Sequence, residues 1–286
     1  MIFEQGGEGN IGNWKDVQPA ISSITRTCFY DRAGFGYSDP PRLDVTAVNV
    51  TDDLRALLQA QGIVGPVVLV GHSVGGFYAT VYADRYPEDV AGLVLVDPGF
   101  SDQELWRSAL DYEAEFPNIT RGEDNLLKCA RLARAGQLSR QTLSPQGCFP
   151  VSDHLPPGET QYLLHAVTGP HWYEAEYSQS VNFFSRDLDL SVSHAQEAAL
   201  RRSFGEMPIE VLSAATPPSS AWRTPERATA AGSHWQDGHR QLAARSAQGS
   251  WAIVEASGHF IQRDQPQAVI AAVERVIRKV RETGSN

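Results

Sequence analysis

The sequence predicts an α/β protein: a mostly parallel central sheet flanked by helices, with a mainly helical segment inserted after the strand ending at Val96. Short runs of Val, Ile and Leu, apolar enough to be covered on both sides, alternate with stretches of helical period. That alternation stops after residue 99 and resumes at residue 206. Residues 100–205 are polar, studded with aromatics, and hold no second set of apolar runs. The core is therefore expected over 1–99 and 206–286, with 100–205 as a helical cap.

In chain order, Met1 to Gly7 shows neither the basic nor the apolar region of a secretory signal. The sequence starts inside an expected strand, which implies that preceding residues, with any signal they carry, are missing from it. Asn13 to Ile24 reads as a helix, Thr25 to Tyr30 as a buried strand and Val45 to Gln61 as a helix. Pro66 to Val70 is the next strand, Val74 to Arg85 the next helix and Gly92 to Val96 the strand before the insertion. Beyond the insertion, Ile209 to Leu212 and Trp251 to Val254 read as buried strands and Gln265 to Glu282 as the closing helix.

The insertion carries Trp106, Tyr112, Phe116, Phe149, Tyr162, Trp172, Tyr173, Tyr177, Phe183 and Phe184, most of which are expected to fill its own core. An insertion at this point sits over the carboxyl edge of the sheet, where open α/β proteins bind ligands. Trp172, Tyr173, Glu174 and Phe183 are the residues expected to line a substrate pocket.

With 42% hydrophobic and 20% charged residues among 286, the chain can bury a real core. A formal net charge of −10 and the lack of any basic run argue against nucleic acid as a partner. Its apolar runs fall far short of the roughly 20 residues needed to cross a bilayer. Cys28 lies in an apolar run and reads as a small core residue. Cys129 and Cys148 flank a polar stretch and are either a loop-closing disulfide or two free thiols. The disulfide implies a periplasmic or secreted protein, the thiols a cytoplasmic one.

Gly71-His72-Ser73-Val74-Gly75 joins a buried strand directly to a helix. In that setting it reads as a nucleophile elbow, with Ser73 exposed at the tip of a sharp turn. A serine hydroxyl needs a base, and the base needs an orienting carboxylate. His259 follows the last strand and precedes the closing helix, at the same sheet edge as Ser73. His72 is expected to pack, and His154, His165, His171 and His194 lie in the insertion. The usual place for the acid, after the next-to-last strand, holds Ser213-Ala214-Ala215-Thr216-Pro217-Pro218-Ser219 and no carboxylate. One strand earlier the chain ends in Asp97, which is assigned as the acid, with Asp237 and Asp264 as fallbacks. Oxyanion donors are expected from the Val74 amide, at the positive end of its helix, and from the loop Gln5-Gly6-Gly7-Glu8-Gly9, with Gly7 first and Gly6 next.

Together these residues resemble the α/β-hydrolase superfamily, specifically its cap-bearing serine esterases and related hydrolases. The carrying motifs are Asp31-Arg32-Ala33-Gly34-Phe35-Gly36-Tyr37-Ser38, Gly71 to Gly76, Gly92 to Asp97 and Ser257-Gly258-His259. The likeness covers Met1 to Phe100 and Met207 to Arg281; the insertion matches only in position and kind. The resemblance implies that Asp31 to Ser38 borders the site without doing chemistry. Departures are the absence of two antiparallel strands before the first one here, and Gln5-Gly6 where many members have His-Gly.

A serine at the elbow argues against the aspartate-dependent dehalogenases and epoxide hydrolases of the same fold. The expected activity is hydrolysis of a carboxylic ester, on a small molecule with a bulky apolar group, with no metal or organic cofactor. The alternatives are an aminopeptidase or amidase of the proline-iminopeptidase type, for which Trp172 to Glu176 would present a carboxylate to a substrate ammonium, and a non-catalytic ligand-binding protein. Nothing in the sequence sets the oligomeric state.

Overall fold

A computed structural model describes residues 1–103, 109–185, 189–216 and 224–283, with the side chains of 109–116 and 283 outside the description. Trp106, the side chains of Tyr112 and Phe116, and Pro217 to Ser219 therefore lie outside the described residues. Six strands form one sheet in the order β2-β1-β3-β4-β5-β6, every neighbouring pair parallel. They are β1 (Ile2–Glu4), β2 (Cys28–Phe29), β3 (Val67–His72), β4 (Val90–Val96), β5 (Ile209–Ala214) and β6 (Gly249–Val254).

In the core, α1 (Gln18–Ser22), α2 (Ala47–Ala60) and α3 (Val74–Arg85) precede the insertion, while α9 (Pro225–Ala243), α10 (Ile261–Asp264) and α11 (Pro266–Thr283) follow it. Between β4 and β5 lie α4 (Ala109–Arg134), α5 (Arg140–Leu143), α6 (Pro157–Thr168), α7 (Pro170–Phe183) and α8 (Val192–Leu200), with no strand of the sheet among the described residues.

Strand alternation splits the core into two layers. Val68, Val70, Val94 and Val96 face Val269, Ile270, Val273 and Val276 of α11. Leu69, Leu93 and Leu95 face the other way, onto Leu54, Ala79, Tyr82 and Leu242 of α2, α3 and α9. A third cluster joins the insertion to the start of α3 through Val74, Phe77 and Tyr78, packed with Cys129, Trp172, Tyr173 and Phe183. Cys129 and Cys148 form a disulfide with their Cα atoms 5.8 Å apart, tying α4 to the loop after α5.

The elements depart from the sequence expectation at the edges. Trp251 to Val254 lies in the outermost strand, paired along one edge only, and Ala252 and Ile253, which point to opposite faces, are both exposed. Thr25 to Tyr30 contributes only the two-residue β2 at the opposite edge, which leaves Cys28 half-buried rather than in the core. Asn13 to Ile24 divides into a 3-10 turn, Ile11–Trp14, and the short α1. Pro19, lacking an N–H, fits only in a first helical turn, so the helix restarts there.

Candidate active site

Ser73 is the single residue between β3 and α3, with φ 56° and ψ −127°. Few side-chain-bearing residues adopt such a backbone, and the neighbouring glycines make room for it. A Cβ on Gly71 would sit 2.5 Å from the Gly75 carbonyl oxygen, and one on Gly75 would overlap the Gln5 carbonyl and lie 2.6 Å from that of Glu4.

His259 arrives from the far end of the chain, in the turn after β6. Ser257 Oγ donates to the Val254 carbonyl at 2.6 Å, and the Gly258 amide donates to Asp264 Oδ2 at 2.8 Å. His72, packed as expected, donates from Nε2 to the His259 carbonyl at 2.8 Å. Burial and the neighbouring His259 push the His72 imidazole down to about 3, which keeps it neutral.

The three groups form one chain of contacts. His259 Nε2 lies 2.9 Å from Ser73 Oγ, and His259 Nδ1 lies 2.6 Å from Asp97 Oδ2. A carboxylate at Nδ1 holds the proton there and leaves Nε2 to accept the serine hydrogen. Asp97 follows β4, is 0% exposed and has φ 44°. Its Oδ1 accepts from the Ala214 amide and from Trp235 Nε1, each at 2.9 Å. Burial alone would raise this carboxyl, but the bond from His259, the nearby His239 and the Ala214 amide hold it below the usual aspartate value. Asp264, one fallback acid, braces the histidine turn, and Asp237, the other, pairs with Arg240 on an exposed face of α9.

Sequence reasoning passed over the support behind Asp97. His239 is buried on α9, and burial lowers its imidazole pKa. Its Nε2 donates to the Pro98 carbonyl at 2.7 Å, and its Nδ1 accepts from Ser213 Oγ at 2.6 Å. Trp251 Nε1 donates to that same Ser213 oxygen at 2.7 Å. Trp235 and His239 stand four residues apart on a helix, a spacing that puts both on one face, and this was the available signal.

The glycine loop Gln5 to Gly9 runs beside Ser73. A Cβ on Gly6 would point at the His72 ring and lie 3.6 Å from Ser73 Cβ. Beneath the loop, Arg32 is 3% exposed and donates to Glu4 Oε1 at 2.9 Å, to the Gln5 and Gly6 carbonyls at 2.6 Å each and to that of Gly7 at 3.3 Å. Gln179 of α7 joins the cluster, accepting from Arg32 at 3.2 Å and donating to the Gly7 carbonyl at 3.2 Å. Val74 opens α3 directly after Ser73, where its amide has no place in the helical ladder.

The four expected pocket residues separate. Trp172 donates to the Glu8 carbonyl at 3.2 Å, so it reaches the glycine loop. Phe183 stacks edge-on against Phe77, one turn along α3 from Ser73, with ring centroids 5.3 Å apart. Tyr173 is buried inside the insertion and donates to the Val167 carbonyl. Glu174 turns outward to Arg134, 2.7 Å away. Glu176 is the acid that faces the site instead. Its Oε1 is 3.7 Å from where a Gly7 Cβ would be, and its Oε2 accepts from Gln179 at 3.1 Å. Burial pushes this carboxyl up to about 8, with Arg32 offsetting only part of the rise.

Among the described residues no group of His, Cys, Asp and Glu could hold a metal, and no helix is long and apolar enough to cross a membrane. A separate cavity of about 310 Å³ opens between residues 30–45 and α2, and none of Ser73, Asp97 and His259 lines it.

A Bacillus subtilis protein of uncharacterized function is 26% identical over 274 residues, 96% of this chain and 81% of its own length. An uncharacterized Schizosaccharomyces pombe protein is 28% identical over 87% of this chain, and the chain spans only 41% of that protein's length. Among solved structures, a thermophilic esterase from Thermogutta terrifontis, with malate bound, superposes with a TM-score of 0.61 at 20% identity, covering 98% of this chain and 89% of that one. That likeness is one of fold. The family model described as alpha/beta hydrolase fold matches residues 1–205, most of the chain, and with the parallel sheet and the elbow already in place, the chain belongs to the α/β-hydrolase family.

Proposed function

We propose that this protein hydrolyses carboxylic esters through an acyl-enzyme on Ser73. The observation that carries the reading is the unbroken line from Ser73 Oγ through the His259 ring to the Asp97 carboxylate, at 2.9 and 2.6 Å. Ser73 Oγ attacks the ester carbonyl while His259 Nε2 takes its proton, and Asp97 stabilises the imidazolium. The amides of Val74 and Gly7, with Gly6 beside them, receive the oxyanion of the tetrahedral intermediate. Collapse expels the alcohol, which takes the proton from His259. Water then adds to the acyl group with His259 again as base, and the acid leaves. No metal or organic cofactor enters these steps.

Helices α4 to α8 act as a cap, and Phe77, Phe183 and Trp172 supply apolar surface for a bulky group of a small-molecule ester. The Cys129–Cys148 disulfide favours a periplasmic or secreted setting, since such bonds persist where the surroundings are oxidising. A second reading, an aminopeptidase or amidase, draws on the position of Glu176 beside the glycine loop, where a substrate ammonium would have to draw its carboxyl into the ionised form. Treatment with a fluorophosphonate followed by peptide mass spectrometry tests the reaction class: Ser73 should carry the label, and His259→Ala should not be labelled. Parallel assays on p-nitrophenyl butyrate and a prolyl arylamide separate the two readings. Turnover of neither would leave a ligand-binding protein.

A further inference from the structure

We infer that Arg32 is a positioning residue for the oxyanion loop, turning the Gly6 and Gly7 amides toward the oxygen that forms on the Ser73 adduct. The inference rests on the acyl-transfer reading above. Its basis is the convergence of three consecutive carbonyls, those of Gln5, Gly6 and Gly7, on the two terminal nitrogens of one buried guanidinium. Among the described residues there is no cis peptide bond, so the peptide units of the loop are trans. In a trans peptide the N–H points opposite to the C=O of the same unit. Fixing the Gln5 carbonyl therefore fixes the direction of the Gly6 amide, and fixing the Gly6 carbonyl fixes that of Gly7.

Both amides point away from Arg32, and among the described residues neither finds an acceptor. A buried N–H without a partner is costly unless a ligand completes it. Gly6 is buried and closely packed on His72 and Ser73: a Cβ on it would lie 2.9 Å from His72 Nδ1 and 3.6 Å from Ser73 Cβ. The loop thus leaves two amides unpaired on the side away from Arg32, with Gly6 packed against Ser73, and what holds their direction is on the loop's other face.

Charge is not what Arg32 contributes. Glu4, 1% exposed and 2.9 Å away, neutralises it, so little net field from the pair reaches Ser73. Orientation is the contribution, and it needs a planar fork that reaches several acceptors at once, which a lysine ammonium does not offer. Gln179 completes the clamp from the insertion. It accepts from Arg32 and donates to the Gly7 carbonyl, so the loop is gripped by the core and by α7 together.

The test compares wild type with Arg32→Lys and Gln179→Met, using p-nitrophenyl butyrate for kcat and KM, an alkyl trifluoromethyl ketone as a mimic of the tetrahedral adduct, and thermal melts. Arg32→Lys should lower kcat by about 10²–10³-fold, the range for loss of an oxyanion donor, with KM unchanged. Affinity for the ketone should fall in proportion to kcat/KM. Gln179→Met, which keeps the Arg32–Glu4 pair, should show the same pattern on a smaller scale. A folded variant with kcat or ketone affinity unchanged overturns the inference. If Arg32→Lys fails to melt cooperatively, Gln179→Met decides by the same criteria. Wild type that takes no fluorophosphonate at Ser73 overturns the esterase reading itself, whereas a labelled wild type with unaffected variants sinks only the role of Arg32.

Discussion

Asp97 holds its carboxylate from a backbone with φ 44°, a conformation that aspartate and asparagine tolerate better than most residues. Asn can therefore take its place without new strain while removing the charge that orients His259. Asp97→Asn should lower kcat on p-nitrophenyl butyrate by about 10⁴-fold with little change in KM. Trp235 and the Ala214 amide occupy the oxygen that His259 does not use, so the carboxylate cannot rotate freely. Glu176 gives a prediction of a different kind. Its carboxyl stays protonated in the folded chain up to about 8, whereas an unfolded chain ionises it near the ordinary glutamate value. Between those values unfolding releases a proton, so this group lowers stability steadily as pH rises through the window. Glu176→Gln should match wild type in thermal melts near pH 4, gain on it progressively above that, and level off beyond about 8. A difference in Tm that does not vary with pH would contradict this.

At the scale of elements, the turn from β3 to α3 is set by the absence of side chains around it. Gly75→Ala would press a methyl group into the Gln5 and Glu4 carbonyls, where strand β1 meets the glycine loop, and neither backbone has room to retreat. Such overpacking should cost about 3 kcal/mol, read as a lower midpoint in urea, and should reduce the proposed hydrolysis of p-nitrophenyl butyrate beyond the loss of folded protein. This turn was legible in the sequence because each of its requirements is local. β3 and β4 were legible for a related reason: they are buried on both faces and so carry unbroken apolar runs. The exposure of Ala252 and Ile253 was not, since an edge strand has the same composition as a central one and only its place in the sheet order uncovers it. The exchange of Glu174 for Glu176 has a similar cause. Two positions along a helix are about 200° apart around its axis, so the pair cannot share a face, and which of them looks inward is decided by how α7 lies against Arg32 and Gln179. The spacing of Trp235 and His239 shows that they share a face of α9, but that this face meets Asp97 depends on how α9 docks on the sheet.

Across the whole molecule, the sheet with its two helical layers and the inserted helices are stabilised by different means. The layers bury apolar strand faces against α11 on one side and α2, α3 and α9 on the other. The insertion packs into a cluster that it shares with Phe35, α2 and α3, and adds the Cys129–Cys148 bond across 19 positions. Closing a loop of that size contributes about 3 kcal/mol. Replacing both cysteines with serine should therefore speed amide hydrogen exchange in α4 to α6 while amides of β3 and β4 keep their protection. Uniform loss across all elements would show that the inserted helices do not open independently of the sheet.

The hydroxyl and the imidazole of the proposed site come from positions 186 residues apart. At ribosomal elongation rates of roughly 5–20 residues per second, about 10–40 s separate the synthesis of one from the other. During that interval the nascent polypeptide holds a serine with no base beside it, so hydrolysis begins only once translation has nearly finished. Premature termination between the elbow and His259 yields a fragment that keeps Ser73 but lacks its base.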